Sequence, residues 1–364
     1  MAGAAIPAAT RRGISGISAP TTPGRSAEAD GPRRPGARRR SAWLRAIRRG
    51  APPRPRTGRA AGPSMRDSDG RGLAPSGIPC HAAAAMSEND PERLIRGRYG
   101  VAPEAPLPFT PLPEVPAGLA ALLDRRVTRR YAPDPVPEPL LQTLLAGAQS
   151  APSKSDLQQY AIVVLRDAAR IARIADWITG MDWIKQAPVF LLFCGDVRRG
   201  RRLCAHHGRA HANDNVDTFL NATADAALAL GFAVMAAEAL GLGTCPISYV
   251  RNHVEKIGPL CALPEGVFPV AGLTLGFPAG ARNWLSPRLP QPVVVHRERY
   301  DDSGLEAALP AYDAARPPAK PRYPEIHGPR PEGCAWSENA ARQLAVPERF
   351  GLRTWLKSRG LSLD

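Results

Sequence analysis

The sequence predicts a layered body, α/β or α+β, in which helices cover a sheet. Three observations carry that prediction. Tyr160–Leu165, Pro188–Gly195 and Val267–Leu275 are short apolar runs that read as buried strands. The segments between them have helical spacing. One of these, Asn215 to Gly241, is long and very rich in Ala, so neighbouring elements can approach it closely.

Taken in order, the apolar stretch Leu119–Leu123 is helix-like and runs into a cluster of Arg125, Arg126, Arg129 and Arg130. Tyr131 and an Ala-Pro-Asp-Pro turn follow. After Pro137-Glu-Pro139, the residues Leu140, Leu141, Leu144, Leu145 and Ala148 make one helical face, and Pro suits a helix start. Strand Tyr160–Leu165 leads to a helix over Asp167–Thr179. The run Pro188–Gly195 is apolar on both faces. The Ala-rich helix reads as central or as a dimer interface, and Gly241-Leu-Gly243 ends it. Arg251–Ala262 reads as a further helix before the third strand. From Pro290 the chain turns Pro-rich, with short helices expected near Asp301–Ala315, Trp336–Ala345 and Glu348–Arg359. That is too little apolar surface for a separate domain. Residues 291–364 read as an arm packing on the body or on a partner subunit, and 86–290 as the body.

The charge is unevenly spread. Residues 1–85 hold 16 Arg, no Lys and 4 acidic residues, a net +12 out of the total +15. The remainder carries +3, an ordinary enzyme surface that argues for no nucleic-acid partner. Residues 1–85 are too poor in apolar side chains to offset their chain entropy and read as a disordered tail. The break in composition at Met86 points to the true start lying there; intact mass of the native protein tests this, and a mass that includes the tail excludes it. No run of 18 apolar residues marks a membrane span, and no apolar core follows the early Arg residues as a secretory signal requires. Cys80, Cys194, Cys204, Cys245, Cys261 and Cys334 lack paired spacing and fit reduced thiols in a cytoplasm.

Arginine offers a planar fork of donors that suits phosphate and planar polar rings. Alone, the cluster at 125–130 is also what a basic helix end looks like. The loop Ser150-Ala-Pro-Ser153-Lys-Ser155-Asp-Leu-Gln158 offers hydroxyl and amide partners, yet alone it is a polar turn. Arg288, in Ser286-Pro-Arg-Leu-Pro290, is a second cation that could meet the same phosphate as Arg125.

Together these pieces resemble the nitroreductase superfamily of flavin enzymes, in the branch of the oxygen-insensitive NADPH nitroreductase and flavin reductase P. The resemblance covers residues 115–364. Besides the motifs above it rests on Ala-Ala-Glu-Ala-Leu-Gly-Leu-Gly at 236–243, Val-Arg-Asn-His-Val-Glu at 250–255 and Leu275-Gly-Phe-Pro278. It implies an α+β fold with a central, mostly antiparallel sheet covered by helices. It further implies an intertwined homodimer with a C-terminal arm and FMN at the subunit interface. The implied activity is ping-pong transfer of hydride from NADPH, with NADH possible, to nitroaromatics, quinones or free flavin. No acid–base triad is expected, because the cofactor carries the chemistry.

By the same resemblance Arg125, Arg126 and Arg288 would meet the FMN phosphate and ribityl, and Arg129 the ring edge. Ser153, Ser155 and Gln158 would bind ribityl and ring. Pro246, Ile247 and Ser248 would cover or rim one flavin face. Tyr249 and Arg349 would line the substrate pocket, and His327 or Arg330 would face the NADPH 2′-phosphate, with Arg322 an alternative to Arg330. Departures from the family pattern are Val127 for Ser, Met181 for Gln, Ser286 for Lys and Ser248-Tyr249 for a Gly pair. These bear on cofactor affinity and substrate range rather than fold. Two alternatives stay open: a non-catalytic flavin binder, and a flavin-consuming or dehalogenating enzyme of the same fold.

Cys204, His206, His207 and His211 invite a metal reading, since residues four apart share a helical face. No Glu follows the first His and Gly208 weakens a helix there, so the segment reads as a solvated loop or lid with no metal. Trp177 and Trp183 read as core or interface rather than as a cofactor stack.

Overall fold

The computed structural model describes residues 89–317, 328–329 and 333–364. The proposed start at Met86 and the tail before it lie outside them.

The first element among the described residues is α1 (Pro91–Tyr99), which the sequence pattern did not lead us to expect. Its signals are nonetheless local. The Asp90 carboxylate accepts from the amides of Glu92 and Arg93, each at 3.2 Å, Pro91 opens the helix, and Gly100 ends it at φ 67°. Leu94 packs with Val115, Ala120 and Leu123, so α1 is seated on α2 (Ala117–Leu123). Helix α3 (Glu138–Gln149) has the expected inward face of Leu140, Leu141, Leu144 and Ala148 and lies against α6 (Val216–Ala239).

Four antiparallel strands form one sheet in the order β1-β2-β4-β3: β1 (Tyr160–Leu165), β2 (Val189–Asp196), β3 (Gly243–Ile247) and β4 (Val267–Gly276). Three coincide closely with the expected strands, and the fold is α+β. Strand β2 is buried along its whole length, as a central strand covered on both faces must be. Phe190, Leu192 and Cys194 point to one face. There they meet α4 (Ala168–Trp177), a 3₁₀ turn Asp182–Gln186 and α7 (Val254–Leu260) through Ile171, Ile174, Ile184 and Ile257. Helix α6 covers the opposite face. Fully burying each such side chain contributes roughly 1.5–3 kcal/mol. The Phe190 ring lies over Gly272, where a Cβ would come within 2.3 Å of it, so any side chain there must displace that buried ring.

Strand β3 was not expected. With Gly243 and Pro246 among five residues it lacks a strand-like composition; it is tolerated because it sits at the sheet edge. The segment read as a solvated loop contains a second unexpected element, α5 (Arg198–His206). Its last helical residue is His206 and Gly208 turns at φ 62°, so His207 and His211 do not share a helical face.

The C-terminal arm carries α8 (Gln291–Val294), α9 (Leu305–Ala314), α10 (Trp336–Leu344) and α11 (Leu352–Ser358). Leu356 and Leu361 pack on Val197, Ala222 and Phe268, so its end is seated on the body of the same chain. By length and composition α6 is also able to cross a bilayer, yet here it lies on the sheet and buries a carboxylate, Asp225, at 1% exposure.

Candidate cofactor site

The arginine run is extended rather than a helix end. Helix α2 stops at Leu123, and residues 125–130 then lie along the β3–β4 end of the sheet. The Thr128 amide donates to the Thr244 carbonyl at 2.7 Å, and Tyr131 forms a bridge with Pro278. The buried Tyr131 hydroxyl donates to the Thr128 carbonyl at 2.8 Å and lies 2.7 Å from the Thr274 hydroxyl, which fixes the end of the run. Burial pushes that phenol well above its ordinary value, so it is a neutral strut.

Three guanidiniums meet where the run begins. Arg98 of α1 is 9% exposed, and burial, then Arg288 and Arg125, push it down to about 10. Arg288 is lowered by burial and next by Arg125. The two distant stretches that carry Arg125 and Arg288 are therefore brought together. Arg125 Nη1 is buried and has no hydrogen-bond partner among the described residues. Asp124 offsets the group only in part: its charge raises Arg98, but its ion pairs are with Arg126 at 3.0 Å and with Arg282. Burial would raise its carboxyl, but hydrogen bonds and charge from Arg282 and Arg126 hold it below the ordinary value. Glu238, near the end of α6, is pushed up to about 7 by burial despite Arg125 and Arg282. Near neutral pH Glu238 is thus only partly ionised. An orphaned buried donor among repelling cations fits an anion such as a phosphate monoester.

Several partners were not legible beforehand. Asn283 donates through its side chain to the Val127 carbonyl and accepts from Arg126 at its own carbonyl, 3.2 Å away. Arg98 is another. The departures at Val127 and Ser286 are bridged through the backbone: the Ser286 carbonyl accepts from Arg98 at 3.2 Å and from Arg288 at 3.0 Å. Arg130 donates to the Ala281 carbonyl at 3.1 Å. Arg129 lies 5.9 Å from the Trp183 ring, beside the 3₁₀ turn that starts after Met181. Trp177 and Trp183 are half-buried on the core.

The loop 153–158 is built differently. Ser155, Asp156 and Gln158 all have positive φ, at 50°, 56° and 49°. Such backbone persists only where its surroundings hold it. The holder is Asp225 on α6, whose carboxylate accepts from the amide of Lys154 at 3.0 Å and of Gln159 at 2.9 Å. Ser153 Oγ accepts from the Gln158 amide at 3.2 Å, and Arg199 donates to the Gln158 carbonyl. The loop and the arginine cluster are not united within one chain. Asp225 and Glu238 are 13 residues apart on one helix, roughly 20 Å along its axis.

Among the remaining candidates, Pro246 and Ser248 are exposed, while Ile247 is 2% exposed in the core and offers a ligand its backbone alone. Tyr249 is half-buried with its ring 5.7 Å from His253. Arg349, from the arm, donates to Asn252 at 2.9 Å and so reaches the 3₁₀ turn that carries Ser248 and Tyr249. His327, Arg330 and Arg322 lie outside the described residues. No cluster of metal-ligating side chains occurs among the described residues. A cleft of about 620 Å³ opens elsewhere, between α5, β1 and residues 261–267; it holds Arg199 but none of the cluster arginines.

The fold defines the class as α+β proteins with a four-stranded antiparallel sheet under helices, here with an anion-receptive cluster beside it. Residues 122–277 match the Nitroreductase family and residues 286–364 that family's C-terminal domain. The FMN reductase (NAD(P)H) of Bacillus subtilis is 39% identical over 198 residues, 54% of this chain and 79% of that protein. The oxygen-insensitive NADPH nitroreductase of Salmonella typhimurium is 31% identical over 241 residues, 66% of this chain and 95% of that one. A solved structure of the hypothetical oxidoreductase YcnD from Bacillus subtilis superposes with a TM-score of 0.61 at 33% identity, covering 69% of this chain and all of that one. The chain belongs to the nitroreductase family.

Proposed function

We propose that this protein is an FMN-dependent NAD(P)H oxidoreductase that reduces nitroaromatics, quinones or free flavin in two alternating half-reactions. The observation that carries this reading is the buried, unpartnered Arg125 Nη1 set between Arg98 and Arg288. FMN, when bound, supplies the atom that takes up hydride and passes it on. The chain's own task is to bind, orient and tune. Arg125, Arg126 and Arg288 hold the phosphate. Arg129, beside Trp183, offers its guanidinium to the polar edge of the ring. Ser153, Ser155 and Gln158 serve ribityl and ring edge, and Pro246, Ser248 and the backbone of Ile247 line one face. Tyr249 and Arg349 shape the substrate mouth. The region of His327 and Arg330 meets the NADPH 2′-phosphate.

The working unit is a homodimer. Val216, Leu220, Leu228 and Met235 are exposed and fall on one face of α6, opposite the buried Ala222, Ala226, Ala229 and Ala233. A second copy on that face would bring its 153–158 loop to the first copy's cluster and close the 20 Å gap between them. Residues 86–290 form the flavin-binding body and 291–364 the arm, acting in the cytoplasm on small-molecule acceptors.

The test is direct. Purified protein is expected to be yellow, to carry about one FMN per chain, and to bleach with NADPH and recolour with a nitroaromatic or quinone. Protein that stays colourless after incubation with FMN would overturn the reading. Turnover with NADPH against NADH settles the donor.

A further inference from the structure

Arg98 lies outside both segments that match the family, at 122–277 and 286–364. Its guanidinium nevertheless occupies the middle of the cation cluster. It donates to the carbonyls of Leu122 at 3.4 Å, Leu123 at 2.9 Å and Arg125 at 3.1 Å on one side, and of Ser286 at 3.2 Å on the other. In return the Arg98 carbonyl accepts from the Arg288 amide at 2.9 Å. One residue therefore ties the start of the arginine run to the loop that carries Arg288. Helix α1 is anchored for this work by Leu94 and Ile95, and Gly100 at its end lies against Pro287. Arginine suits the role because it has five donors in a rigid plane; a lysine reaches fewer carbonyls and in less fixed directions.

Two like charges held close repel, and Arg125 lowers Arg288 while no salt bridge to an acid is formed by either among the described residues. Something must keep them from turning apart into solvent before an anion arrives. We propose that Arg98 is a positioning residue for the phosphate site: its fork over Leu122, Leu123, Arg125 and Ser286 holds Arg125 and Arg288 on one target. The segment before the family-matched region is then part of the cofactor site. This rests on the FMN reading above. It deepens that reading by assigning the discrimination between phosphorylated and unphosphorylated flavin to a residue on α1.

The experiment compares full-length wild type with Arg98→Met and Arg98→Lys. FMN and riboflavin are titrated separately by fluorescence, with inorganic phosphate as competitor and a thermal melt of each protein. Wild type is expected to prefer FMN over riboflavin, with phosphate weakening FMN alone. Arg98→Met is expected to weaken FMN at least tenfold and riboflavin less than twofold, with Arg98→Lys between. An unchanged FMN-to-riboflavin ratio in folded Arg98→Met, or equal weakening of both flavins, overturns the proposal, since a merely structural role would not single out the phosphate. If Arg98→Met does not fold, the same ratio in Arg98→Lys decides. Wild type that binds riboflavin and FMN equally removes the phosphate role of the cluster and this proposal with it. Wild type that binds neither removes the cofactor reading itself.

Discussion

Near the C-terminal end of α6, Arg98, Arg125 and Arg288 crowd together, and burial with neighbouring positive charge lowers Arg98 and Arg288; 13 residues earlier, Asp225 clamps a loop in left-handed backbone. The first region stores its readiness as charge repulsion. The second stores it as backbone conformation. Charge repulsion is relieved by an anionic ligand and screened by salt. Backbone strain is indifferent to salt and depends on one buried acceptor. The two regions should therefore respond to different perturbations, and that separation can be attacked.

The largest effect is expected at the clamp. Asp225→Ala leaves one buried and one part-buried amide without their acceptor and should cost about 3 kcal/mol of stability. Urea unfolding measures this, and a loss under about 1 kcal/mol would show the loop to hold itself. Next, Arg125→Met should weaken FMN about a hundredfold by removing a charge-assisted partner, while leaving stability unchanged or slightly higher because a repulsion is gone. A melt that drops as far as that of Asp225→Ala would erase the contrast between the regions. Raising NaCl from about 0.05 to 0.5 M should weaken FMN several-fold and riboflavin hardly at all; equal loss for both would place the phosphate elsewhere.

The smallest effect concerns Glu238. Its carboxyl is raised from 4.5 to about 7, so in that window the folded chain holds a proton that the unfolded chain has released. Its stabilising contribution is complete below pH 4.5 and fades as pH rises through 7. Above 7 its negative charge also competes with phosphate for Arg125. FMN affinity should fall about threefold between roughly pH 7 and 8.5, and Glu238→Gln should flatten that slope. A slope that survives in the variant assigns the titration to another group.

The sheet's strands β1, β2 and β4 were readable because each is a short, mostly apolar run; for the central β2, buried along its whole length, burial and sequence pattern coincide. Helices α3 and α6 were readable from periodicity and from Ala content. Strand β3 was not, since its pairing to β4 overrides the poor strand propensity of Gly243 and Pro246. Helix α1 carried its own caps, Asp90 and Gly100, but its polar surroundings hid them. At the site, the arginine run and Arg288 stood out by residue type. Arg98, Asn283 and Asp225 did not: each acts through backbone carbonyls or amides far away in sequence, and no spacing rule records such contacts.

The flanks of the sheet are not equivalent. Along β3, Pro246 has no amide to give and the Thr244 carbonyl already receives Thr128, so that border is sealed. Along β1, residues 160–165 pair with β2 alone among the described residues, and their outer donors and acceptors face away from the sheet. Among the described residues, the longer edge left open to a strand joining the sheet from outside is therefore β1, which gives growth of the sheet a favoured direction.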